Sequence, residues 1–143
     1  MLLVDAANVI GSRPDGWWRD RPGAARRLVA QLRSGTLAGR LPAPVVVVVE
    51  GLARLGVAET EAAGVTVLHA PGNGDDMMAQ LASSAAPTPV VLVSADRALG
   101  RRVAATGATV VGPQWLYRRL IGPRAPDGAR GTAAKAPEPP SPG

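Results

Sequence analysis

Three stretches decide the fold of this chain: LLVD at residues 2–5, VVVVVE at residues 45–50 and VVLVSAD at residues 90–96. Each stretch is an apolar run that stops at or near a carboxylate. Those carboxylates are Asp5, Glu50 and Asp96. In a parallel α/β sheet the carboxyl ends of the strands lie along one edge, where ligands bind. Because carboxylates gathered there repel one another unless a cation lies among them, the pattern predicts a divalent-metal site.

The composition limits the chemistry. The chain has 143 residues, enough for one domain that buries roughly two-thirds of its unfolded surface. It contains no Phe, so its core must be aliphatic. Because there is no Cys and only one His, His69, thiol catalysis and any site with two imidazoles are excluded. Metal ligands would then be oxygens, which favours Mg²⁺ or Mn²⁺ as the cofactor.

The apolar patterns predict strands that alternate with helices. Strands are predicted at 2–5, 45–49, 65–68, 90–93 and 109–111, and helices at 23–34, 52–62, 75–85, 97–106 and 114–120. Residues 6–22 are predicted to form a loop. Such alternation is typical of a parallel sheet covered on both faces, so residues 1–121 are expected to form one α/β domain. Residues 122–143 are rich in Pro, Gly and Ala, which predicts a disordered tail.

Two adjacent carboxylates open the helix predicted at 75–85. Asp75 lies three residues before Met78 and seven before Ala82, so it shares the helix face that packs on the sheet. Asp76 is rotated roughly 100° from it around the helix axis. Asp75 is therefore the better direct ligand, with Asp76 beside it or binding through water. The alternative is that both residues merely complement the positive end of the helix dipole.

Three further polar residues lie near the ends of the same strands. Asn8 follows Asp5 by three residues and either orients a phosphate or a water molecule, or simply caps a loop. Glu50 either joins the outer part of the site or only marks the end of its strand. Ser94 precedes Asp96 by two residues and either hydrogen-bonds a carboxylate or a phosphate, or caps the strand end. These residues extend the predicted site.

The charge of the chain indicates a polyanionic partner. Residues 1–121 contain 13 Arg and nine acidic residues, and five of those acids belong to the predicted site. The remaining surface is therefore strongly basic, which suits nucleic acid. A GC-rich coding bias explains Arg over Lys, but not the excess of bases over acids.

Aromatic residues are interleaved with arginines in the segment after the first strand. The residues expected to contact nucleic acid are Arg13, Trp17, Trp18, Arg19, Arg21 and Arg97. Arg contacts phosphates, and Trp can stack on an unpaired base. The alternatives are that one or both Trp side chains anchor the loop to the core, and that Arg97 lies on a solvated helix face.

A family resemblance runs through most of the chain. The series VDAANVIG, VVVVVEG, GNGDDMMAQLA and VLVSADRALGRRVAATGATVVG resembles the NYN branch of the PIN-like nucleases, in particular the YacP-like metal-dependent ribonucleases. The resemblance spans roughly residues 2–121. It implies a Rossmann-like three-layer α/β/α sandwich with a five-stranded parallel sheet in the order 3-2-1-4-5. The implied activity is metal-dependent hydrolysis of RNA phosphodiester bonds.

The family pattern matches particular positions of this chain. The matching positions are Asp5, Asn8, Asp75, Asp76, Ser94 and Asp96. Metal ligands are implied at Asp5, Asp75 and Asp96, and residues that orient water or substrate at Asn8 and Asp76. The chain departs from the pattern at two places. Glu50 stands where relatives often carry Asp, and Gly100 stands where many carry a further acid.

Three functions are compatible with these features. The leading one is a metal-dependent endoribonuclease, and the second is a nucleoside triphosphate pyrophosphohydrolase that uses the same metal site. The third is a non-catalytic PIN-like module that binds RNA or a protein partner. RNA is the expected partner, with no readout of duplex DNA. No apolar run approaches the roughly 18 residues of a membrane span, so a cytoplasmic protein is expected, and the oligomeric state is left open.

Overall fold

The computed structural model describes residues 1–121, and the predicted tail lies outside the described residues. The strands are β1 (Leu2–Asp5), β2 (Val45–Val49), β3 (Glu61–Ala62), β4 (Val65–His69), β5 (Val91–Val93) and β6 (Thr109–Val111). The helices are α1 (Ala6–Gly11), α2 (Arg21–Leu37), α3 (Asp75–Ser84), α4 (Arg97–Ala104) and α5 (Pro113–Leu120). Short 3-10 helices span Trp17–Arg19 and Gly51–Gly56. Within the part of the chain that is described, no helix combines the length and apolarity needed to cross a bilayer.

The six strands form one mixed sheet in the order β3-β4-β2-β1-β5-β6. Strand β3 pairs antiparallel with β4, whereas the other pairs are parallel. The prediction of five strands is therefore wrong in strand count, and the order of the whole sheet differs because β3 is added at the edge, whereas the five predicted strands keep the order 3-2-1-4-5 as β4-β2-β1-β5-β6. The extra strand escaped prediction because it has two residues, both exposed, and so no apolar pattern.

A tight turn creates that sixth strand. The two residues between β3 and β4, Ala63 and Gly64, have φ angles of 54° and 77°. Positive φ at both central positions is the type I′ geometry that joins antiparallel strands. The helix predicted at 52–62 is also wrong, because a 3-10 helix occupies only Gly51–Gly56 and the chain then extends into β3.

The sheet is covered on both faces, as its apolar strands require. Successive side chains of a strand point to opposite faces. In β1, Leu2 and Val4 therefore join one core with α1, α2 and α5, and Leu3 joins a second core with α3 and α4. The consecutive valines of β2 supply both cores, and each fully buried one contributes roughly 1.5–3 kcal/mol. The architecture is three-layered α/β/α.

The prediction of a loop at 6–22 is wrong, because helix α1 begins immediately after β1. The side chain of Asp5 accepts a hydrogen bond from the backbone N–H of Asn8 at 3.3 Å and so caps the helix. Such a cap satisfies an N–H group that has no partner within the helix. Ala6 and Val9 then bury one face of α1 against the core. The strand thus passes into the helix without an intervening loop.

Candidate functional site

Strand alternation places Asp5, Glu50 and Ser94 on one face of the sheet. Leu3, Val48 and Leu92 all belong to the core beneath α3 and α4. Two residues farther along the chain come, respectively, Asp5, Glu50 and Ser94. Because side chains alternate along a strand, these three residues follow on the same face, at the carboxyl edge of the sheet. Strand β1 lies between β2 and β5, so Asp5 is central.

Asp5 is buried, with only 6% of its surface exposed. One carboxylate oxygen, Oδ2, accepts a hydrogen bond from Ser94 Oγ at 2.9 Å, and the other caps α1. Burial raises the pKa of Asp5 above its usual 3.8, and the two hydrogen bonds oppose that rise. The negative charges of Glu50 and Asp75 raise the pKa further. The centre of the edge is therefore a place of negative potential.

Ser94 and Asn8 tie the β1 and β5 ends together. Ser94 Oγ donates to Asp5 and accepts from the backbone N–H of Asp96 at 3.1 Å. The side-chain oxygen of Asn8 accepts from the N–H of Ala95 at 2.7 Å. Ser94 thus bonds a carboxylate, which is one of its two predicted roles, and Asn8 lies on α1 rather than in a loop.

Asp96 occupies the start of α4. Its side chain accepts a hydrogen bond from the backbone N–H of Leu99 at 3.0 Å and caps the helix, and it is partly exposed. The Ser94 bond to its backbone connects it to Asp5 through one intervening hydroxyl. Gly100, on the same helix, is buried, and a Cβ built there would meet the Val110 side chain at 3.4 Å. That position is directed at β6 rather than at Asp5.

Glu50 and Asp75 approach Asp5 from the β2 side. Glu50 Oε1 accepts a hydrogen bond from the backbone N–H of Gly74 at 2.9 Å, which holds the start of α3 against the end of β2. A Cβ on Gly74 would lie 3.0 Å from Met78 Cε and 3.1 Å from Val48 Cγ1. The close approach of α3 to the sheet therefore depends on this glycine, and it positions Asp75 at the edge.

Asp76 lies apart from the other carboxylates. Its side chain is 89% exposed and forms an ion pair with Arg102 of α4, with Nη1 and Oδ1 separated by 3.0 Å. Asp75, one residue earlier, is half-buried and close enough to Asp5 to raise its pKa. The rotation of roughly 100° between successive helix positions separates the two side chains.

The chemistry and charge of this donor set fit a hard divalent cation. All the side chains are oxygen donors, which suits Mg²⁺ or Mn²⁺. Within residues 1–121, however, no three Asp, Glu or His side chains are close enough together to hold one ion jointly. Glu50 and Asp5 are instead directed toward Gly74 and Ser94 by hydrogen bonds, while still repelling each other.

Trp17, Trp18 and Arg19 lie beside this edge. Trp17, Trp18 and Arg19 form a 3-10 helix directly before α2. The start of α2 is pressed against the segment that follows Glu50, because a Cβ on Gly56 would overlap the backbone oxygen of Pro22. The Trp17–Arg19 turn therefore flanks the carboxyl edge.

The other predicted contact residues divide between two places. Arg21 and Arg97 are the exposed first residues of α2 and α4. The guanidinium of Arg13 stacks 3.7 Å from the centroid of the Tyr117 ring, in a cleft of about 240 Å³ between α1, α2 and α5. Arg13 is thus held on the helical layer rather than beside the carboxylates.

Sequence reasoning missed three residues that shape the site. Gly74 donates to Glu50, Asn73 Oδ1 accepts from the backbone N–H of Asp75 at 3.0 Å, and Arg102 binds Asp76. The GNGDD turn carried a signal for Asn73, because Asn often bonds the backbone two residues on. Nothing in the sequence indicated the partner of Asp76, since that ion pair joins two different helices.

Comparison with known proteins identifies the fold. No family model matches the chain, and no curated protein matches it. The crystal structure of Rae1 (YacP) from Bacillus subtilis matches with 21% identity and a TM-score of 0.64, over 84% of this chain and 72% of that one. A mutant form of Rae1 matches with 20% identity and a TM-score of 0.60, over 83% of this chain and 73% of that one. The chain therefore shares the fold of Rae1.

Proposed function

We propose that the protein is a metal-dependent endoribonuclease whose site lies at the carboxyl edge of the sheet. The proposal rests chiefly on the buried Asp5, whose pKa is raised by burial and by the charges of Glu50 and Asp75. The negative charges of Glu50 and Asp75 act on Asp5, and a cation at this edge would relieve that repulsion. Perturbed ionisable groups in this kind of position are characteristic of functional sites.

The proposed oxygen ligands come from four elements, and their side chains would have to rotate toward one ion, because no three of them lie close enough within residues 1–121 to hold it jointly. They are Asp5 at the end of β1, Glu50 after β2, Asp75 at the start of α3 and Asp96 at the start of α4. Glu50 ranks with the three aspartates because its charge acts directly on Asp5. When bound, a divalent ion stabilises negative charge on the scissile phosphate and lowers the pKa of water.

The other residues of the site act on geometry. Ser94 bonds both the carboxylate of Asp5 and the backbone of Asp96, and so sets the spacing between them. Asn8 accepts from Ala95, which leaves its amide group to donate to a phosphate or a water molecule. Asp76 is paired with Arg102, and we assign it an effect on the local potential alone.

The distribution of positive charge favours a polymer over a single nucleotide. Of the arginines in residues 1–121, only Arg102 pairs with a carboxylate of that region. The others are spread over α2, α4, α5 and the connecting segments, so they cover far more surface than a mononucleotide would contact. A strand of RNA would engage many of them at once. The shared fold of Rae1 (YacP) and the family resemblance agree with this proposal.

The direct test offers the purified protein two substrates in parallel. Labelled RNA and a nucleoside triphosphate are each incubated with Mg²⁺ or Mn²⁺, and with EDTA as the control. We expect internal cleavage of RNA that stops in EDTA and no release of pyrophosphate. Release of pyrophosphate with intact RNA would instead identify a nucleotide hydrolase.

A contaminating nuclease must be distinguished from the protein itself. Asp5→Asn prepared by the same protocol is the matched control, because it removes one charge and preserves the shape of the side chain. Cleavage that persists unchanged in this variant would exclude the proposed site. RNA binding without any cleavage would instead support a non-catalytic module that binds RNA.

A further inference from the structure

We infer that Trp18 forms a stacking site for an unpaired nucleobase, with Trp17 as its support, beside the carboxyl edge. The inference rests on the proposed function, because it assigns a distinct contact to the same RNA. Neither tryptophan belongs to the buried core, although both were open to that role from the sequence. The structure shows that the two tryptophan side chains differ in exposure.

Trp17 is the supporting residue. It is half-buried, and its ring lies 3.8 Å from the position of a Cβ on Gly11, which places it against the end of α1. The guanidinium of Arg21 lies 5.4 Å from its ring centroid. Because α1 covers one side of its half-buried ring, Trp17 offers less accessible surface to a base than Trp18 does.

Trp18 has the accessible ring. It is 52% exposed, and it meets Trp17 at an interplanar angle of 89° with the ring centroids 5.9 Å apart. Edge-to-face contact of this kind is favourable and fixes the orientation of the outer ring. An immobilised, half-exposed indole loses little conformational freedom when a base stacks on it.

The charge around Trp18 is suited to a phosphate backbone. The guanidinium of Arg19 lies 5.6 Å from the Trp18 ring centroid, within the range of a cation–π contact. Asp20, the adjacent acid, caps α2 by accepting from the backbone N–H of Gly23 at 2.9 Å. Among the described residues no carboxylate pairs with Arg19 or Arg21, so both are available to phosphates on either side of the stacked base.

Stacking on Trp18 requires an unpaired base, so the test compares binding of single-stranded RNA with binding of duplex RNA. Binding of labelled oligouridine, and of the duplex it forms with oligoadenine, is measured by fluorescence anisotropy in EDTA with the Asp5→Asn protein. Trp18→Ala should weaken binding of the single strand about 5- to 150-fold and change duplex binding less than about twofold. Trp18→Phe should retain most of the single-strand affinity, because phenylalanine also stacks.

Leu37→Ala is the matched control, since Leu37 is 76% exposed at the end of α2 and should alter neither affinity. An unchanged single-strand affinity in Trp18→Ala would refute the inference. An equal loss on both ligands would do the same, as would a starting protein that binds no RNA. Binding in EDTA does not require cleavage. If the single strand is bound selectively through Trp18 but the wild-type protein never cleaves RNA, the proposed function is refuted and the stacking site is not.

Discussion

The β1–α1 and β5–α4 junctions are built alike, and their aspartates nevertheless lie in different surroundings. Asp5 and Asp96 each end a strand path and cap the next helix by accepting from the N–H three residues later, at 3.3 and 3.0 Å. Asp5 is buried at the centre of the sheet, with its pKa raised by burial and by Glu50 and Asp75. Asp96 is partly exposed.

The difference shows that two residues with the same local capping geometry differ in burial and neighbours according to their position in the sheet. Strand β1 has β2 on one side and β5 on the other, so the end of β1 receives carboxylates from neighbouring elements. The β5 end lies one strand farther from Glu50. Burial and the charges of Glu50 and Asp75 therefore act together on Asp5, and we expect the ionised carboxylate to lower the stability of the fold.

The largest expected effect comes from neutralising either cap. Asp5→Asn and Asp96→Asn should each lower the RNA cleavage rate about 1000-fold, because several kcal/mol of charge stabilisation at the phosphate depend on the carboxylates. Both variants retain a capping oxygen, so their urea unfolding should remain cooperative. A variant that unfolds early would show a structural defect instead. Single-turnover cleavage assays give the rates, and full activity in both variants would refute the metal-site assignment.

The second test compares Mg²⁺ binding, rather than activity, in the wild-type protein and in Asp5→Asn. Mg²⁺ at about 100 times its dissociation constant should raise the free energy of unfolding of the wild-type protein by about 2.7 kcal/mol. In Asp5→Asn the increase should be largely absent, since the ion would lose its central ligand. Thermal unfolding with and without Mg²⁺ measures this, and Ca²⁺ serves as the comparison ion. Equal stabilisation of both proteins would place the ion elsewhere.

The link between the two junctions can be broken at Ser94. Ser94→Ala leaves a buried oxygen of Asp5 without its donor, which should cost about 1–3 kcal/mol of stability. It also removes a hydrogen bond that lowers the pKa of Asp5, so that pKa should rise further and the low-pH limb of the pH–rate profile should shift upward. Ser94→Thr keeps the hydroxyl and serves as the control. A profile that does not move in Ser94→Ala would mean that Ser94 does not tune Asp5.

The raised pKa of Asp5 makes stability depend on pH. The folded state retains a proton on Asp5 above pH 3.8, where the unfolded chain has released it. The free energy of unfolding of the wild type, relative to Asp5→Asn, should therefore fall as pH rises from 3.8 through the raised value. Above that window Asp5→Asn should be the more stable protein. Urea titrations in EDTA at several pH values test this, and a difference independent of pH would contradict it.

The smallest effect is expected at the carboxylate outside the cluster. Asp76→Asn breaks an exposed ion pair with Arg102, and such pairs contribute about 0–1 kcal/mol. Its cleavage rate should change less than that of Asp75→Asn, the matched substitution one residue earlier. Equal losses in the two variants would show that Asp76 belongs to the reactive group. The same cleavage and urea assays provide both values.

Much of the site was accessible from patterns within short stretches. The apolar runs located the main strands, and the rotation between successive helix residues predicted that Asp75 rather than Asp76 shares the sheet-facing side of α3. The roles of individual residues in catalysis and metal binding remain predictions. Strand β3 and the shortness of the Gly51–Gly56 segment were not accessible, because they depend on a turn and on packing rather than on hydrophobic period.

Glu50 illustrates the same limit within the site. Its position after β2 left two roles open, and the sequence offered no way to weigh them. The bond from Gly74 and the effect of Glu50 on Asp5 arise between segments that lie far apart in the chain. Trp17 and Trp18 are comparable, since their identical chemistry hid which ring would be covered.

The sequence by itself was enough to predict alternating strands and helices, carboxylates at strand ends and a basic surface. Those properties follow from side-chain period and from composition, which need no distant contact. Folding alone decided which carboxylates repel one another, which aspartate is paired with arginine and which tryptophan stays accessible. These outcomes depend on distance and burial in three dimensions, because the energy of a charge or an aromatic ring is set by what surrounds it.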